Sequence, residues 1–291
     1  GGLEEGVQCT PEDLLTLLFL ALRHHAERRL DEGVGSMVVS VPSIFTDRQR
    51  VAVQTAVHRA ALRPHRLLSA PLSSLVGAVE RPADPVERGL REAIQTRAPG
   101  GGPPCPCLVL GVGAGYTQAC LVSVKKKTVS GEDDGYLEYR VAAAGGAAAG
   151  GADVGASKKE GGKGAVELAK SSALQVLKSA GLKAKDVGVV VLMGGVTQDP
   201  AFVELAKEVA PKSARFRTCP NAASRGCSYL AASLEGKAGT GDYPVVAADV
   251  LPAPICWTGP DPSLTLERDP PAGASGGGGG GAGGSGKKGK G

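Results

Sequence analysis

One segment, residues 38–50 (VVSVPSIFTDRQR), joins a short apolar strand to the start of a helix through a proline. Residues 37–41 are apolar and mostly β-branched, which is typical of a strand buried on both faces. Pro42 ends this strand, because proline lacks the N–H that a strand ladder needs. Thr46 and Gln49 have the three-residue spacing of a helix capping box. The segment therefore predicts a strand, a rigid turn and a capped helix in direct succession.

The alternation of strand and helix extends over the first part of the chain. Predicted strands at residues 37–41 and 66–69 alternate with predicted helices at residues 46–61 and 71–80. Such alternation favours an α/β layer with a mostly parallel sheet.

A leucine-rich helix is predicted before this unit, over residues 10–30. Thr10 can cap this helix, and Pro11 fits its first turn. Leucines at helical spacing predict the face that packs on the core. That predicted face consists of Leu14, Leu15, Leu17, Leu18, Leu20 and Leu22.

The second half of the chain predicts a separate unit. Residues 83–106 are rich in proline, glycine and charge, so we expect a linker or loop there. An antiparallel meander and further helices are predicted after it. The predicted strands are residues 107–111, 117–124, 136–143 and 187–193, and the predicted helices are residues 165–180, 200–209 and 221–235. Residues 237–291 are low in complexity, which predicts a disordered tail.

Residues 38–50 resemble the VPxxFxDxQRxA motif of the heat shock protein 70 (DnaK-type) chaperone family. Three later segments are similar to family motifs in the same order. Residues 67–75 resemble the xIINEPTAAA step, residues 191–200 resemble VLVGGSTRIP, and residues 222–227 resemble the ARGCA form found in larger heat-shock relatives. Four motifs in register indicate descent from this family.

The resemblance implies an α/β, actin-like ATPase (ribonuclease H-like) fold in an incomplete form. Residues 1–82 would be part of the first lobe, and residues 107–236 a reduced second lobe. We expect the opening strand and first phosphate loop of the family to be missing. We also expect the helical subdomain that grips adenine to be missing, because only a short glycine- and lysine-rich stretch separates Asp153 from Ala165.

The family's second phosphate loop, with the motif DLGGGTFD, is altered in this chain. Gly113 and Gly115 keep the bare backbone that lets N–H groups approach a phosphate. Gly111 and Gln118 stand where the family has its two carboxylates, and Tyr116 replaces a threonine. No carboxylate is left in this loop to position magnesium or the attacking water, so we assign no catalytic residue and no metal site.

The GGSTR motif of the family is retained in part. Gly194, Gly195 and Thr197 match it, while Val196 and Gln198 replace a serine and an arginine. The resemblance therefore implies a site for ATP or ADP with magnesium at Gly113, Gly115 and these three matching positions. Because each charge-assisted hydrogen bond contributes about 1.5–3 kcal/mol, the losses predict that ATP is neither hydrolysed nor bound tightly.

Pro42 and Arg50 are retained, and in the family these positions link nucleotide state to a partner domain. We therefore predict a degenerate family member that has a co-chaperone or regulatory role in protein folding, with other chaperones or co-chaperones as partners. Binding of unfolded polypeptide is doubtful without a peptide-binding domain. One alternative is that Pro42 and Arg50 only cap and pack.

Other functional interpretations also remain open. The chain could be a fragment of an active ATP-dependent chaperone, or a structural remnant without function. A sugar kinase of the same superfamily fits poorly, because the matched motifs are chaperone-specific and no sugar-binding carboxylate is evident.

Composition gives weaker limits on function. The formal net charge of +4 is too small to imply a nucleic-acid partner. The apolar run at residues 14–22 is shorter than the roughly 20 residues of a membrane span, so no membrane partner is predicted. We expect a cytoplasmic protein, or an organellar one if a targeting segment precedes Gly1.

The cysteines fit neither a disulfide framework nor a zinc site, so reduced thiols are predicted. Cys105 and Cys107 are the one close pair, for which a redox or metal role stays open. The full set is Cys9, Cys105, Cys107, Cys120, Cys219, Cys227 and Cys256.

Overall fold

The computed structural model describes residues 9–113, 116–127, 135–147, 161–195, 200–219, 221–235 and 246–248. All of them belong to one compact unit. In chain order the elements are α1 (Pro11–Leu30), β1 (Ser36–Val41), α2 (Asp47–Arg59), β2 (Arg63–Ser69), α3 (Ala70–Glu80), α4 (Pro85–Arg97), β3 (Cys105–Val112), β4 (Thr117–Lys127), β5 (Tyr136–Ala147), α5 (Gly161–Ser179), β6 (Val189–Met193), α6 (Pro200–Glu208), β7 (Arg215–Thr218), α7 (Ala222–Leu234) and β8 (Val246–Ala248). Across these ranges, no helix combines the length and the apolar composition that crossing a membrane requires.

The predicted helix caps are confirmed at α1 and α2. Thr10 accepts a hydrogen bond from the Asp13 N–H, and Asp13 accepts one from the Thr10 N–H. Thr46 and Gln49 form the same reciprocal pair at the start of α2. Each capping box satisfies two backbone N–H groups that the helix itself leaves unbonded, which explains why both helices begin where the sequence indicates.

The strands form two sheets. β1 and β2 pair in parallel as a two-stranded sheet, with α2 as their crossover. The larger sheet has the order β7-β6-β3-β4-β5-β8. Its centre, β3-β4-β5, is the predicted antiparallel meander, while β6 joins β3 and β7 in parallel. The fold is therefore mixed α/β, as the sequence predicted.

The larger sheet is covered on both faces. Alternate residues of β3 and β6, including Val109 and Val191, pack in a core with α3, α4 and α7. Their neighbours, including Leu108 and Leu192, pack in a second core with α5 and α6. A third core joins α1, α2 and the outward face of β1 around Phe19. The first core also contains Val38 of β1, so it connects the small sheet to the large one.

The expectation that residues 83–106 are a linker or loop is wrong for their central part. Pro85–Arg97 is the helix α4, and the Asp84 carboxylate accepts hydrogen bonds from two N–H groups of its first turn. Leu90 and Ile94 of α4 are buried against the large sheet. The proline- and glycine-rich residues on both sides of α4 favoured the prediction of a loop. The helical pattern of apolar residues within α4 is short, and the burial of these residues depends on tertiary contacts.

The predicted core face of α1 is also wrong. Phe19 is the buried residue of this helix, and Leu15 packs partly beside it. The physical reason is that α1 is apolar on two sides, so periodicity alone cannot indicate which side packs. The leucines that are exposed instead are Leu14, Leu17, Leu18, Leu20 and Leu22.

Two short strands were not predicted. β7 extends the large sheet beside β6, and β8 pairs in parallel with β5. Because Val246–Ala248 lies in the range predicted as a disordered tail, that prediction is wrong for these three residues. The rest of the predicted tail lies outside the described residues, and the predicted lobe boundaries stay predictions.

Candidate functional site at the carboxyl ends of β3 and β6

The carboxyl ends of two parallel neighbours, β3 and β6, meet at one edge of the large sheet. Gly113 follows β3, and Gly194 and Gly195 follow β6. Open α/β sheets bind ligands outside this edge of their strands. The fold thus brings together three of the five residues predicted for the cofactor. Gly115 and Thr197 lie outside the described residues.

Gly194 is required by the backbone at this edge. Its φ is +97°, a conformation that disfavours residues with a side chain. A Cβ placed on Gly194 would also lie 2.5 Å from the carbonyl oxygen of Val112. Next to it, no atom of the described residues lies within 4 Å of such a Cβ on Gly195. One glycine therefore closes the turn against β3, and the other leaves room for a ligand.

Gly113 is less available to a phosphate. Its N–H donates a hydrogen bond to the carbonyl oxygen of Tyr116 at 2.9 Å, within the connection from β3 to β4. The Tyr116 ring lies beside it, 3.6 Å from the position of a Cβ on Gly113. Burial raises the pKa of Tyr116. This N–H is therefore already used by the hairpin, and the ring of Tyr116 lies beside it.

Gly111 and Gln118 are opposite each other in the β3–β4 pair. Gln118 is fully buried. A Cβ on Gly111 would lie 2.9 Å from Cγ and 3.0 Å from Nε2 of Gln118, and 3.1 Å from Cγ of Met193. The glycine at position 111 thus makes space that the glutamine fills. The two positions at which the resemblance implies carboxylates are thus in contact.

The amide of Gln118 makes a specific connection to the turn after β1. Its Oε1 accepts hydrogen bonds from the Ser43 N–H at 2.8 Å and from the Ser43 hydroxyl at 2.9 Å. Ser43 is itself buried. The Nε2 of Gln118 has no hydrogen-bond partner among the described residues. The small sheet and the large sheet are therefore joined at this edge by a buried side chain.

Ile44 strengthens the same connection. A Cβ on Gly146 of β5 would lie 2.8 Å from Cγ2 of Ile44 and 2.3 Å from the carbonyl oxygen of Thr117. Only a residue without a side chain lets Ile44 approach the strands this closely. The turn that follows Pro42 is thus held by hydrogen bonds at Ser43 and by packing at Ile44.

Pro42 and Arg50 lie at the two ends of this turn. The Pro42 carbonyl accepts a hydrogen bond from the Phe45 N–H, and Nε of Arg50 donates to the Phe45 carbonyl oxygen at 3.3 Å. Arg50 is half-buried. The structure brings these two residues to one turn, whose Ser43 is hydrogen-bonded to Gln118. Their assignment to partner binding remains a prediction.

The crossing of α3 and α7 was not predicted from the sequence. A Cβ on Gly77 would lie 1.9 Å from the Ala222 carbonyl oxygen, and one on Gly226 would lie 1.8 Å from the Ser73 carbonyl oxygen. The two helix backbones are therefore in direct contact. Small residues in both segments were the available signal, but the pairing of distant segments is not visible in the sequence.

A buried ion pair joins α4 to α7 on the same side of the sheet. The carboxylate of Glu87 lies 2.9 Å from the guanidinium of Arg225. The thiol of Cys219 lies in this cluster, where burial, followed by the charge of Glu87, raises its pKa to about 12. This thiol stays protonated at neutral pH and is a poor nucleophile.

The cysteines that the structure describes were also compared with the pattern of a metal centre. Among the residues that the structure describes, no three His, Cys, Asp or Glu side chains are grouped to hold an ion. Cys9 is exposed. The described cysteines that are buried are Cys105, Cys107, Cys120, Cys219 and Cys227.

Comparison with known proteins agrees with this architecture. A family model described as "Hsp70 protein" matches residues 3–74 and 163–259, which is more than half of the chain. The chain is 33% identical over 88 residues to "Chaperone protein DnaK" of Thermosipho melanesiensis. These aligned residues are 30% of this chain and 15% of that protein. It is 36% identical over 66 residues to "Chaperone protein DnaK 3" of Synechococcus sp.. Here the aligned residues are 23% of this chain and 10% of that protein. The chain thus spans only a small part of the length of these relatives.

Proposed function

Because the chain belongs to the Hsp70 family, whose fold is the actin-like ATPase fold, we propose that it is an ATPase-inactive member that acts by binding other chaperones or co-chaperones. The family generally binds ATP or ADP with magnesium, and its members work with co-chaperones. In this proposal the chain still binds co-chaperones, and it has lost the binding of ATP or ADP with magnesium.

The pairing of Gly111 with Gln118 carries the proposal. Phosphoryl transfer depends on carboxylates that hold magnesium and orient the attacking water. In this chain one of the two positions has no side chain, and the other has an amide whose oxygen is bonded to Ser43. An amide cannot act as a base, and this one fills the space between the strands.

The expected loss of affinity is large. Each charge-assisted hydrogen bond is worth about 1.5–3 kcal/mol, so losing two such contacts weakens binding by roughly two to four orders of magnitude. The N–H of Gly113 is also used within the hairpin. Residual binding at the open Gly194–Gly195 edge would be weak and would not lead to hydrolysis.

The turn at residues 42–50 supports a role in binding. Gln118 and Gly146 hold this turn against the large sheet, next to Pro42 and Arg50. A turn that is packed in this way suits a constitutive partner more than an ATP-driven cycle. Such a partner would contact the turn at Pro42 and Arg50.

A pull-down with a purified, intact Hsp70 chaperone and its co-chaperones tests the proposal. We expect capture in the presence and absence of ATP, and reduced capture by the Arg50→Ala variant. Arg48→Ala, at an exposed position on the same helix, is the matched control and should bind normally. Recovery no greater than background, for every partner tried, would contradict the binding role.

A further inference from the structure

Two cysteines lie side by side on one face of β3. Cys105 and Cys107 are separated by Pro106, so both side chains are on the same face of the sheet, in the core with α3, α4 and α7. Both are fully buried. The S–H of Cys107 donates to the carbonyl oxygen of Cys105 at 3.6 Å. The strand thus brings two thiols together at its first turn of the pleat.

The length of a strand places this pair within reach of a disulfide. Residues i and i+2 of a strand have Cα atoms about 6.6 Å apart, because each residue rises about 3.3 Å. Disulfides span Cα separations up to about 6.8 Å, so a bond between Cys105 and Cys107 would be near the upper limit. A disulfide with such geometry is easily reduced, which suits a reversible modification.

Cys120 of β4 is less well placed to pair with either of them. It lies opposite Val109, two residues beyond Cys107, so Cys107 and Cys120 are diagonal neighbours. The Cα atoms of such neighbours are about 7–8 Å apart, which exceeds the range of a disulfide. The partner that the sheet geometry favours for Cys107 is therefore Cys105.

Cys105 lies beside a guanidinium side chain. A Cβ placed on Gly188 would lie 2.6 Å from Sγ of Cys105 and 2.8 Å from Cδ of Arg97, so both side chains fill the space that this glycine leaves. Arg97 is half-buried, and its Nη2 donates to the carbonyl oxygen of Ser213 at 3.1 Å. Because Ser213 is exposed, Arg97 extends from the buried thiol toward the surface.

The thiols of the pair differ in acidity. The hydrogen bond from Cys107 lowers the pKa of Cys105, and the positive charge of Arg97 acts in the same direction against the effect of burial. Burial raises the pKa of Cys107. Since the thiolate is the reactive form, Cys105 is the nucleophile and Cys107 stays a thiol. Burial raises the pKa of Cys219 to about 12 and that of Cys227 to about 11, so these two are much less reactive.

We propose that Cys105 and Cys107 are an oxidative modification site for hydroperoxides, at which Cys105 reacts first and Cys107 converts the product into a disulfide. The oxidant reaches Cys105 when the Arg97 side chain moves off Gly188. The thiolate attacks one peroxide oxygen, the O–O bond breaks and hydroxide or an alkoxide leaves, which gives a sulfenic acid on Cys105.

The second step uses the neighbouring thiol. The sulfur of Cys107 attacks the sulfur of the sulfenic acid, the S–O bond breaks, and the hydroxyl group leaves as water with the thiol proton. In total two thiols lose two electrons and two protons. One molecule of hydrogen peroxide is reduced to two molecules of water. A dithiol reductant reverses the modification by thiol–disulfide exchange.

Oxidation of the 291-residue chain by a small excess of hydrogen peroxide tests this inference. Tandem mass spectrometry of the digested protein should place a loss of two hydrogens between Cys105 and Cys107, and dithiothreitol should restore them. Cys219 and Cys227 are buried as well and should stay reduced in the same sample. Their protection shows that the chain is folded during the reaction.

Substitution of single cysteines separates the two steps. Cys107→Ala should stop at the sulfenic acid of Cys105, which dimedone traps, and Cys105→Ala should give neither product. Cys120→Ala is the matched control, since it removes a buried thiol from the neighbouring strand, and it should still form the disulfide.

The role of the guanidinium has its own test. Arg97→Gln should slow the oxidation at neutral pH at least about threefold, because it removes the charge that favours the thiolate. Arg88→Gln, at an exposed position on the same helix, should react at the wild-type rate. Circular dichroism of each variant should match that of the parent protein.

Three results would overturn the inference. The first is a pair that stays reduced while the exposed Cys9 is oxidised. The second is a disulfide that includes Cys120, and the third is oxidation of Cys105 to the sulfinic acid in the wild type without a disulfide. Because the site does not involve Arg50, none of these results bears on the proposed chaperone binding.

Discussion

Gln118 and Gly111 face each other across β3 and β4, and the buried amide of Gln118 lies where a side chain at position 111 would have to go. The lack of a side chain at position 111 thus accommodates the amide at position 118. The pair has become a structural contact that joins β4 to Ser43. This contact holds the small sheet to the large one.

This coupling predicts the result of a double-mutant cycle. Gly111→Ala should lower the free energy of unfolding by about 1–3 kcal/mol, because its Cβ crowds Gln118 and Met193. In a Gln118→Ala background the same change should cost at least about 0.5 kcal/mol less, since residues in contact do not behave additively. Urea denaturation of the wild type, the two single variants and the double variant measures the four free energies of unfolding that the cycle needs. Strict additivity would show that the two positions are independent.

The hydrogen bonds between Gln118 and Ser43 predict which of two substitutions lowers the free energy of unfolding more. Ser43→Ala removes one donor but leaves the backbone N–H bonded, so it should cost about 0.5–1.5 kcal/mol. Gln118→Leu leaves both donors of Ser43 buried without an acceptor, so it should cost more, about 2–4 kcal/mol. Denaturation midpoints compare the two variants. Equal costs would contradict a bond through Oε1.

The contact between α3 and α7 predicts an intolerance to a single methyl group. Gly77→Ala and Gly226→Ala each place a Cβ within 2 Å of a carbonyl oxygen of the other helix, so the helices must separate. We expect a loss of about 3 kcal/mol or more, or failure to fold. Thermal unfolding measures this loss.

Gly89 of α4 provides the control for that prediction. It is also helical, but no atom in the described part of the chain lies within 4 Å of a Cβ placed on it. Gly89→Ala should therefore be neutral or stabilise the protein by about 0.5–1 kcal/mol. Similar behaviour of all three alanine variants would show that the helix crossing is not close.

The cluster around Cys219 predicts a loss of stability at high pH. The pKa of its thiol is about 12 in the folded protein and lies near 9.0 in the unfolded chain. Below pH 9 both states are protonated, and above it only the unfolded state loses the proton, which favours unfolding. Stability should therefore fall between pH 9 and 12, by up to about 1.4 kcal/mol per pH unit for this group.

The variant Cys219→Ala isolates the effect. From pH 8 to pH 10 its free energy of unfolding should fall less steeply than that of the wild type, because the variant lacks this thiol. It should still fall to some extent, because other buried groups such as Cys227 and Tyr139 titrate in both proteins. Parallel slopes for the two proteins would contradict the assignment to Cys219.

Local signals explain what the sequence could predict. The capping boxes at Thr10 and Thr46 and the apolar runs of β1 and β6 depend on neighbouring residues, and the structure agrees with them. Helix α4 was missed because its burial comes from the sheet, and its flanking residues favour a loop. The packed side of α1 was assigned wrongly because leucines lie on both sides of it.

The key contacts of the site could not be predicted for a different reason. Ser43 and Gln118 are 75 residues apart, and Gly77 and Gly226 are farther apart still. Each of these residues has an ordinary interpretation on its own, as a turn, a strand or a helix position. Their meaning depends on the juxtaposition that only the folded chain provides.

We propose that a glycine and an amide, at the positions where the resemblance implies carboxylates, leave this chain without ATPase activity. Single-turnover hydrolysis of γ-labelled ATP, with magnesium and excess protein, tests it most directly, and equilibrium dialysis on the same sample gives the affinity. We predict no phosphate release above a protein-free control, and a dissociation constant of about millimolar or weaker. Micromolar binding together with measurable release of phosphate would contradict the account.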